Sequence, residues 1–393
     1  MVLSKRSLSS ILRQKFAISR KEVKIIFTFS IMSSPIEKSQ SVLAPKEQAP
    51  SPAIGNEPVD SARLKAALLA LQTTGGINAE TIIDTVMQYA AFFEGLSAQA
   101  KAILRKHATF HPMFANSELL APGRRGRDGL FIAADDTRLS FQQEDYQVSS
   151  LQMKAGAMVG IYNFFLREAP RMTVTVEGDH SARFVRIDPA AFEKLSSLGE
   201  EGLFAQAELL QNAIVQNTTL GETTQAAVRQ MDAPGITPPP PPVFEGVFTP
   251  ELNGRVNECK KGNRVRPEPR TLMVLRQGAL AVRKTYLTAQ GKPTQRLVAS
   301  YTVEQCPNMG VVLNEQVAAG ADEDNSICIT AETDCVIEYI NLGDLSPNER
   351  VTALMSALGS VDLKTRAALA LKRDADPNAP RTLEGLLAYF LTA

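Results

Sequence analysis

Residues 107–187 are written in short segments where apolar and polar residues alternate, each cut off by turn residues: LLAPG, GLFIAA, TRLSFQ, YQVSSLQM, MTVTVEG and ARFVRID. A side-chain period of two with frequent breaks specifies antiparallel strands that bury one face. The same kind of text returns as RTLMVLRQGALAVRK, QRLVASYTV and ICITAETDCVIEYINL. Both blocks open on similar words, FFEGLSAQA at 92–100 and FEGVFTPEL at 244–252, read as an aromatic, an acid-Gly pair and a short entry helix. Both close on a helix that follows proline, in IDPAAFEKL and LGDLSPNERVTALMSAL. This is an internal repeat of about 150 residues. A chain of 393 residues suits more than one core.

Helical periodicity surrounds the first block. SARLKAALLALQ (61–72) has an N-cap at Asp60 or Ser61, and a second helix starts at Asn78 with a stripe of Ile82, Ile83, Val86 and Ala90. Ser97 opens a third helix through Lys106, and another is expected over 200–216. Residues 33–60 are Ser, Pro, Glu, Gln and Lys with few apolar side chains, the composition of a disordered linker. Pro238 to Pro242 specify a stiff polyproline II spacer about 15 Å long, with a docking site for a proline-reading module as the alternative. The resulting division is a basic segment and linker over 1–60, helices and a first β domain over 61–216, a Pro-rich linker over 217–243, and a second β domain with C-terminal helices over 244–393. TLEGLLAYFLTA at the C-terminus is a short apolar helix in need of a surface.

Charge and cysteine usage narrow the function classes. Lys and Arg total 42 and Asp and Glu total 42, so no whole-chain field draws the protein to nucleic acid. Two basic stretches, Arg124-Arg125-Gly-Arg127 and Lys260 to Arg270, lack interleaved aromatics and read as solvated turns. The four cysteines, Cys259, Cys306, Cys328 and Cys335, form no Cys-x-x-Cys pair, which argues against zinc. Cys328 and Cys335 sit in apolar strand text and read as buried free thiols in a reducing compartment. The three histidines, His107, His111 and His180, are too few for a metal-enzyme constellation. Gly-x-Ser-x-Gly, His-Glu-x-x-His and Walker A motifs are absent from the sequence, and Asp135-Asp136 reads as a turn, so no enzyme is expected. No apolar run approaches the ~18 residues that a membrane-spanning helix needs. Residues 1–31 hold Lys5, Arg6, Arg13, Lys15, Arg20, Lys21 and Lys24 against Glu22. That suits a mitochondrial presequence, translation upstream of a start at Met32, or a basic membrane-surface helix. A cytoplasmic location is expected, or a mitochondrial one if 1–31 is a presequence.

The first block resembles the cyclic-nucleotide-binding domain family. FFEGLSAQAKAIL looks like that family's entry helix, ELLAPGRRGRDGLFIAADDTRLSF like its Pro-Gly turn and following strands, and LQMKAGAMVGIYNFFLREAPRMTVTVEGDHSARFVRIDPAAFEKL like its phosphate cassette, last strands and closing helix. The likeness spans 92–195 and is looser over 244–345, through FEGVFTPEL, LMVLRQGALAVRK and CVIEYINLGDL. The resemblance implies an α+β chain of two tandem antiparallel β-roll (double-stranded β-helix) domains with flanking helices.

It also implies a site. In the family a short helix, an arginine and a glutamate after a glycine grip the cyclic phosphate and the ribose 2′-hydroxyl. Gly160 matches the glycine, Arg171 the phosphate ligand, and Met172 and Thr173 the strand that follows, so these four form the candidate cassette. Ile161 stands where the glutamate belongs, and Glu168 is available to pair with Arg171. Losing one buried charge-assisted bond costs roughly 1.5–3 kcal/mol, tenfold to a hundredfold in affinity. In the second block the glycine is read as Gly310, followed by Val311, and Asn325-Ser326 replace the arginine behind Asp322, Glu323 and Asp324. The expectation is a non-catalytic regulatory or scaffold protein without a bound cofactor, whose degenerate domains make protein–protein contacts in a larger assembly. It has protein partners, and a homo-oligomer stays open. The alternative is a receptor that binds cAMP, cGMP or a related phosphate ligand through the first domain.

Overall fold

Alternating strands must bring two apolar faces together, and in the computed structural model of the chain they do so twice. The structure describes residues 59–123, 129–143, 146–170, 172–178, 181–216, 241, 243–249, 252, 254–287, 291–304, 309–320 and 325–375. The basic N-terminal segment, the RRGRD stretch at 124–128, Arg171, His180, most of the proline run, Cys306, the acids at 322–324 and the C-terminal TLEGLLAYFLTA lie outside the described residues.

The first roll has eight strands: β1 (Ala108–Met113), β2 (Glu118–Leu120), β3 (Leu130–Ala133), β4 (Thr137–Gln143), β5 (Tyr146–Met153), β6 (Met158–Val159), β7 (Thr173–Glu177) and β8 (Ala182–Ile187). They make two antiparallel sheets, ordered β1-β8-β3-β6 and β2-β7-β4-β5. The sheets close on an interior of Leu119, Phe131, Leu139, Val176 and Phe184, all fully buried. The turn at Asp135-Asp136 joins them, with Asp135 bound by Arg183 and Asp136 by Lys65 at 2.9 Å.

The second roll repeats this order with two strands fused. Its elements are β9 (Val243–Glu245), β10 (Val247–Phe248), β11 (Arg255–Cys259), β12 (Arg264–Val265), β13 (Thr271–Leu287), β14 (Pro293–Val303), β15 (Met309–Val312), β16 (Ile327–Ala331) and β17 (Cys335–Asn341). The first half of β13 lies between β17 and β15, and the second half between β16 and β14. The sequences β11-β17-β13-β15 and β12-β16-β13-β14 therefore repeat the two sheets of the first roll, with β13 doing the work of β3 and β4 together. The bend that lets one strand serve both sheets is at Gly278, with φ +98°. A Cβ there would lie 2.6 Å from the Asp334 carbonyl oxygen. The burial rhythm of β17 matches that of β8, residue for residue from Cys335 and Ala182 onward.

FEGVFTPEL does not form an entry helix over its described residues. Val243 and Glu245 are exposed while Phe244 is buried, a strand rhythm, and β9 adds to β14 in parallel through Ser300↔Val243. The β-branched Val243 and Val247 favour that outcome.

The helices follow the sequence closely. They are α1 (Val59–Thr73), α2 (Ala79–Tyr89), α3 (Ala98–Lys106), α4 (Ile161–Phe165), α5 (Ala190–Leu195), α6 (Glu200–Gln216), α7 (Glu315–Ala319) and α8 (Pro347–Ala375). Asn78 caps α2, with Thr81 rather than Glu80 completing the box, and Ser97 caps α3. Ser346 and Glu349 form the same reciprocal cap at α8. Ser61 is buried inside α1, which begins at Val59, so the cap expected at Asp60 or Ser61 is displaced. Cys335 is buried as expected, but Cys328 is only half-buried.

Each roll leaves one sheet with an apolar outer face. Leu130, Ile132, Val185 and Ile187 of the first roll and Leu272, Val274, Val312 and Ile340 of the second join a single cluster with side chains of α1, α2, α3, α6 and α8. Among the described residues no helix is long and apolar enough to cross a membrane.

Gly278→Ala combines backbone strain with a collision and should cost about 2–4 kcal/mol. Gly262 has a similar φ of +86° but open space at its Cβ, so Gly262→Ala should cost only about 1–2 kcal/mol. Urea denaturation of the two variants measures the difference.

Candidate functional site

In the first roll the chain leaves β6 through Gly160 and enters α4. Gly160 has φ +87°, and a Cβ there would lie 2.2 Å from the Gly129 carbonyl oxygen, so the position accepts no side chain. Aromatic packing anchors the helix: Phe164 and Phe165 meet edge to face at 4.8 Å, and Phe165 meets Phe192 at 5.0 Å. Asn163 is buried and donates from Nδ2 to the Glu168 carbonyl oxygen at 2.5 Å, tying down the loop that follows. Met172 and Thr173 are half-buried at the entry to β7, where Thr173 pairs with Gln142. Gly160 thus holds the turn into α4, and Arg171 lies outside the described residues. Ile161 is buried in the helical core and offers a ribose no acceptor. Five residues make too short a helix for a strong dipole at its N-terminus.

The second cassette is found by strand register. Leu130 pairs with Ile187 and Leu272 with Ile340, which equates Phe131 with Met273. Phe131 faces Val159, and the Leu313 N–H donates to the Met273 carbonyl oxygen at 2.9 Å. Leu313 therefore matches Val159, Asn314 matches Gly160, and Glu315 matches Ile161. Gly310 lies inside β15, so its reading as the cassette glycine is corrected. Asn314 takes the glycine's place by turning its amide on the backbone. Its Oδ1 accepts from the Met273 N–H at 2.8 Å and its Nδ2 donates to the Thr271 carbonyl oxygen at 2.7 Å. Matching the pairs Leu139↔Val176 and Leu280↔Ala331 aligns Ser326 with Arg171 by sequence count.

Glu315 is therefore an acid at the position that matches Ile161, and it is already engaged. Lys364 reaches in from α8, its Nζ 2.7 Å from Oε1 and 2.9 Å from Oε2. It also donates to the Val312 carbonyl oxygen at 2.9 Å and lies 4.9 Å from the centre of the Tyr301 ring. The lysine side chain is 10% exposed and the glutamate 6%. Leu363, one residue earlier, packs on the interior of the roll. Burial alone pulls the Lys364 ammonium down, but the Glu315 carboxylate and the Tyr301 hydroxyl outweigh it and the net direction is up. Burial pushes the Tyr301 hydroxyl up as well, against the opposing pull of Lys364. A helix of the chain itself thus reaches the carboxylate at this position.

Sequence reasoning missed both halves of this pair. A glycine marker points to Gly310, whereas the position matching Gly160 carries Asn314. The available signal was Asn-Glu directly after a strand and ahead of small residues, NEQVAA. Nothing in the text marks Lys364 among its neighbours. The candidate basic stretch from Lys260 begins as a turn that carries the chain from β11 to β12, where Lys260 pairs with Asp334 at 3.1 Å. Among the described residues no group of His, Cys, Asp or Glu is arranged to hold a metal.

No family model matches the sequence, and no curated protein matches it. Similar solved structures include the regulatory subunit of a cAMP-independent protein kinase A from Trypanosoma cruzi bound to guanosine, at 14% identity and a TM-score of 0.26, covering 79% of this chain and 93% of that one. The corresponding subunit from Trypanosoma brucei is 13% identical, with a TM-score of 0.26 and coverage of 72% and 89%. The regulatory domain of Toxoplasma gondii protein kinase A with cAMP is 11% identical, with a TM-score of 0.25 and coverage of 71% and 95%.

Lys364→Met leaves a buried carboxylate unpaired and should destabilise the protein by about 3–5 kcal/mol, whereas Lys364→Met with Glu315→Gln should recover most of the loss. The raised Lys364 value means its stabilisation is whole below the unfolded lysine pKa of about 10.4 and is lost as pH rises through the folded value. Tyr301 acts in the same direction. Urea denaturation between pH 8 and 11 should show wild-type stability falling above about pH 10, and falling less in the double variant.

Proposed function

We propose that this chain is a non-catalytic regulatory or scaffold protein, in which two β-rolls of the cyclic-nucleotide-binding type serve protein–protein contacts within a larger assembly. The observation that carries this reading is the Lys364–Glu315 pair. An acceptor engaged by a buried ammonium is closed to a ribose hydroxyl, and a ligand would have to break that pair to reach it. The first roll has an isoleucine at the equivalent position, so neither half retains a free ribose acceptor. The solved structures named above include protein kinase regulatory subunits, which agrees with a partner-binding role. A protein partner is expected, without nucleic acid, and the rolls act in the cytoplasm unless residues 1–31 direct them to mitochondria.

A second reading has one observation in its favour. Gly160 keeps a left-handed turn that no side chain can occupy, which would suit a phosphate-binding cassette. On that reading the first roll binds cAMP, cGMP or a related phosphate ligand through Arg171, with Met172 and Thr173 beside it. Ligand binding would then shift the helices that follow the roll between two populated states.

Calorimetry and thermal shift with cAMP and cGMP on the full chain distinguish the two. We expect no saturable heat at millimolar ligand, a Kd weaker than about 1 mM, and the same result for Arg171→Ala. A wild-type thermal shift that disappears in Arg171→Ala would establish the receptor reading instead.

A further inference from the structure

Strands β11 and β17 pair antiparallel with Cys259 directly opposite Cys335. Directly opposed side chains stand on the same face of a sheet. Both thiols do so here, since Cys335 belongs to the interior of the second roll and Cys259 packs against that interior. Opposed Cα atoms in an antiparallel ladder are about 4.5–5.5 Å apart, inside the roughly 4.4–6.8 Å that a disulfide spans. The equivalent rung of the first roll is Met113↔Ala182, an apolar pair without redox chemistry. Beyond the rung, Asp334 accepts from Lys260 Nζ at 3.1 Å and from the Lys261 N–H at 2.9 Å, which holds this end of the ladder in register.

The two sulfurs differ in access. Cys259 is half-buried on a strand whose partner among the described residues is β17 alone, which makes it an edge. Cys335 is 3% exposed and donates to the carbonyl oxygens of Ala279, at 3.3 Å, and Thr333, at 3.1 Å.

We propose that Cys259 and Cys335 form a reversible thiol–disulfide switch that staples the edge strand β11 to β17. The oxidant is a small-molecule disulfide such as glutathione disulfide. The Cys259 thiolate attacks one of its sulfurs, the S–S bond breaks, and one glutathione thiolate leaves. Cys335 gives its proton to solvent and attacks the Cys259 sulfur of the mixed disulfide, releasing the second glutathione. Two cysteines are oxidised and one glutathione disulfide is reduced to two thiols; excess glutathione reverses each step. Burial, then the neighbouring Cys335 and Asp334, hold the Cys259 thiol above its ordinary value, so its thiolate is scarce at neutral pH. Oxidation therefore accelerates as pH rises. In the oxidised form the Cys335 sulfur leaves the Ala279 carbonyl beside the Gly278 bend, and Arg255 to Glu258 become a fixed rather than a fraying edge. The switch stands apart from the reading of the cassettes.

The full chain, incubated with glutathione disulfide at pH 8 and then alkylated, is mapped by mass spectrometry. A Cys259–Cys335 linked peptide is expected, lost on reduction, with a melting temperature ~5 °C or more above the reduced form because the closed loop is long. Cys259→Ser should fold normally and lose both the link and the gain. Cys306→Ser with Cys328→Ser should keep both. The proposal is overturned if Cys259 ends as a stable glutathione adduct, links to Cys306 or Cys328, or stays a free thiol.

Discussion

Two β-rolls that each keep one apolar sheet face outward must cover those faces, and here a single layer of helices covers both. Burying apolar area is the dominant stabilising term, and a one-sided sheet left bare would be an aggregation surface. Helix α6, which follows the first roll, packs against α8, which follows the second. Arg350 of α8 bonds Gln211 of α6 and lies 3.5 Å from Glu208, while Gln211 donates to the Ala319 carbonyl at the end of α7. The closing helix of one roll thus touches the cassette helix of the other. Helix α8 also contacts α4 and β5 of the first roll. Both cassettes answer to the same helical layer.

The Lys364–Glu315 pair sits at the end of that layer. A buried ion pair adds little net stability compared with an apolar pair of the same shape, but removing one member leaves a charge in a medium that cannot solvate it. The pair therefore acts as a positional constraint. It fixes α8 on the mouth of the second roll more firmly than apolar contact alone, because a shift of one turn would strand both charges. The first roll has no such need: Ile161 at the matching position joins the apolar core directly.

Much of the architecture was legible in the text because strands and helices leave different periods. The β segments of the first block, the caps at Asn78 and Ser97, and α6 over 200–216 all follow local rules of alternation, capping and stripe spacing. FEGVFTPEL misled because an aromatic-acid-Gly word begins either a helix or a strand, and pairing with β14 decided for the strand. The cassette glycine misled for a related reason. Glycine is the usual mark of such a turn, and here an asparagine whose amide bonds Met273 and Thr271 performs the same duty.

The sequence alone determined that two β domains stand in tandem among helices, since period-two text, turn residues and the repeated order are local properties of the chain. It also determined that an isoleucine, Ile161, directly follows Gly160. Only the tertiary structure decided which residues share a site. Register assigned Glu315 to the second cassette, the path of α8 brought Lys364 to it across a separation no short-range pattern records, and the ladder of β11 and β17 set Cys259 against Cys335. Contacts between distant segments depend on how whole sheets and helices pack, and that packing is a property of the assembled core.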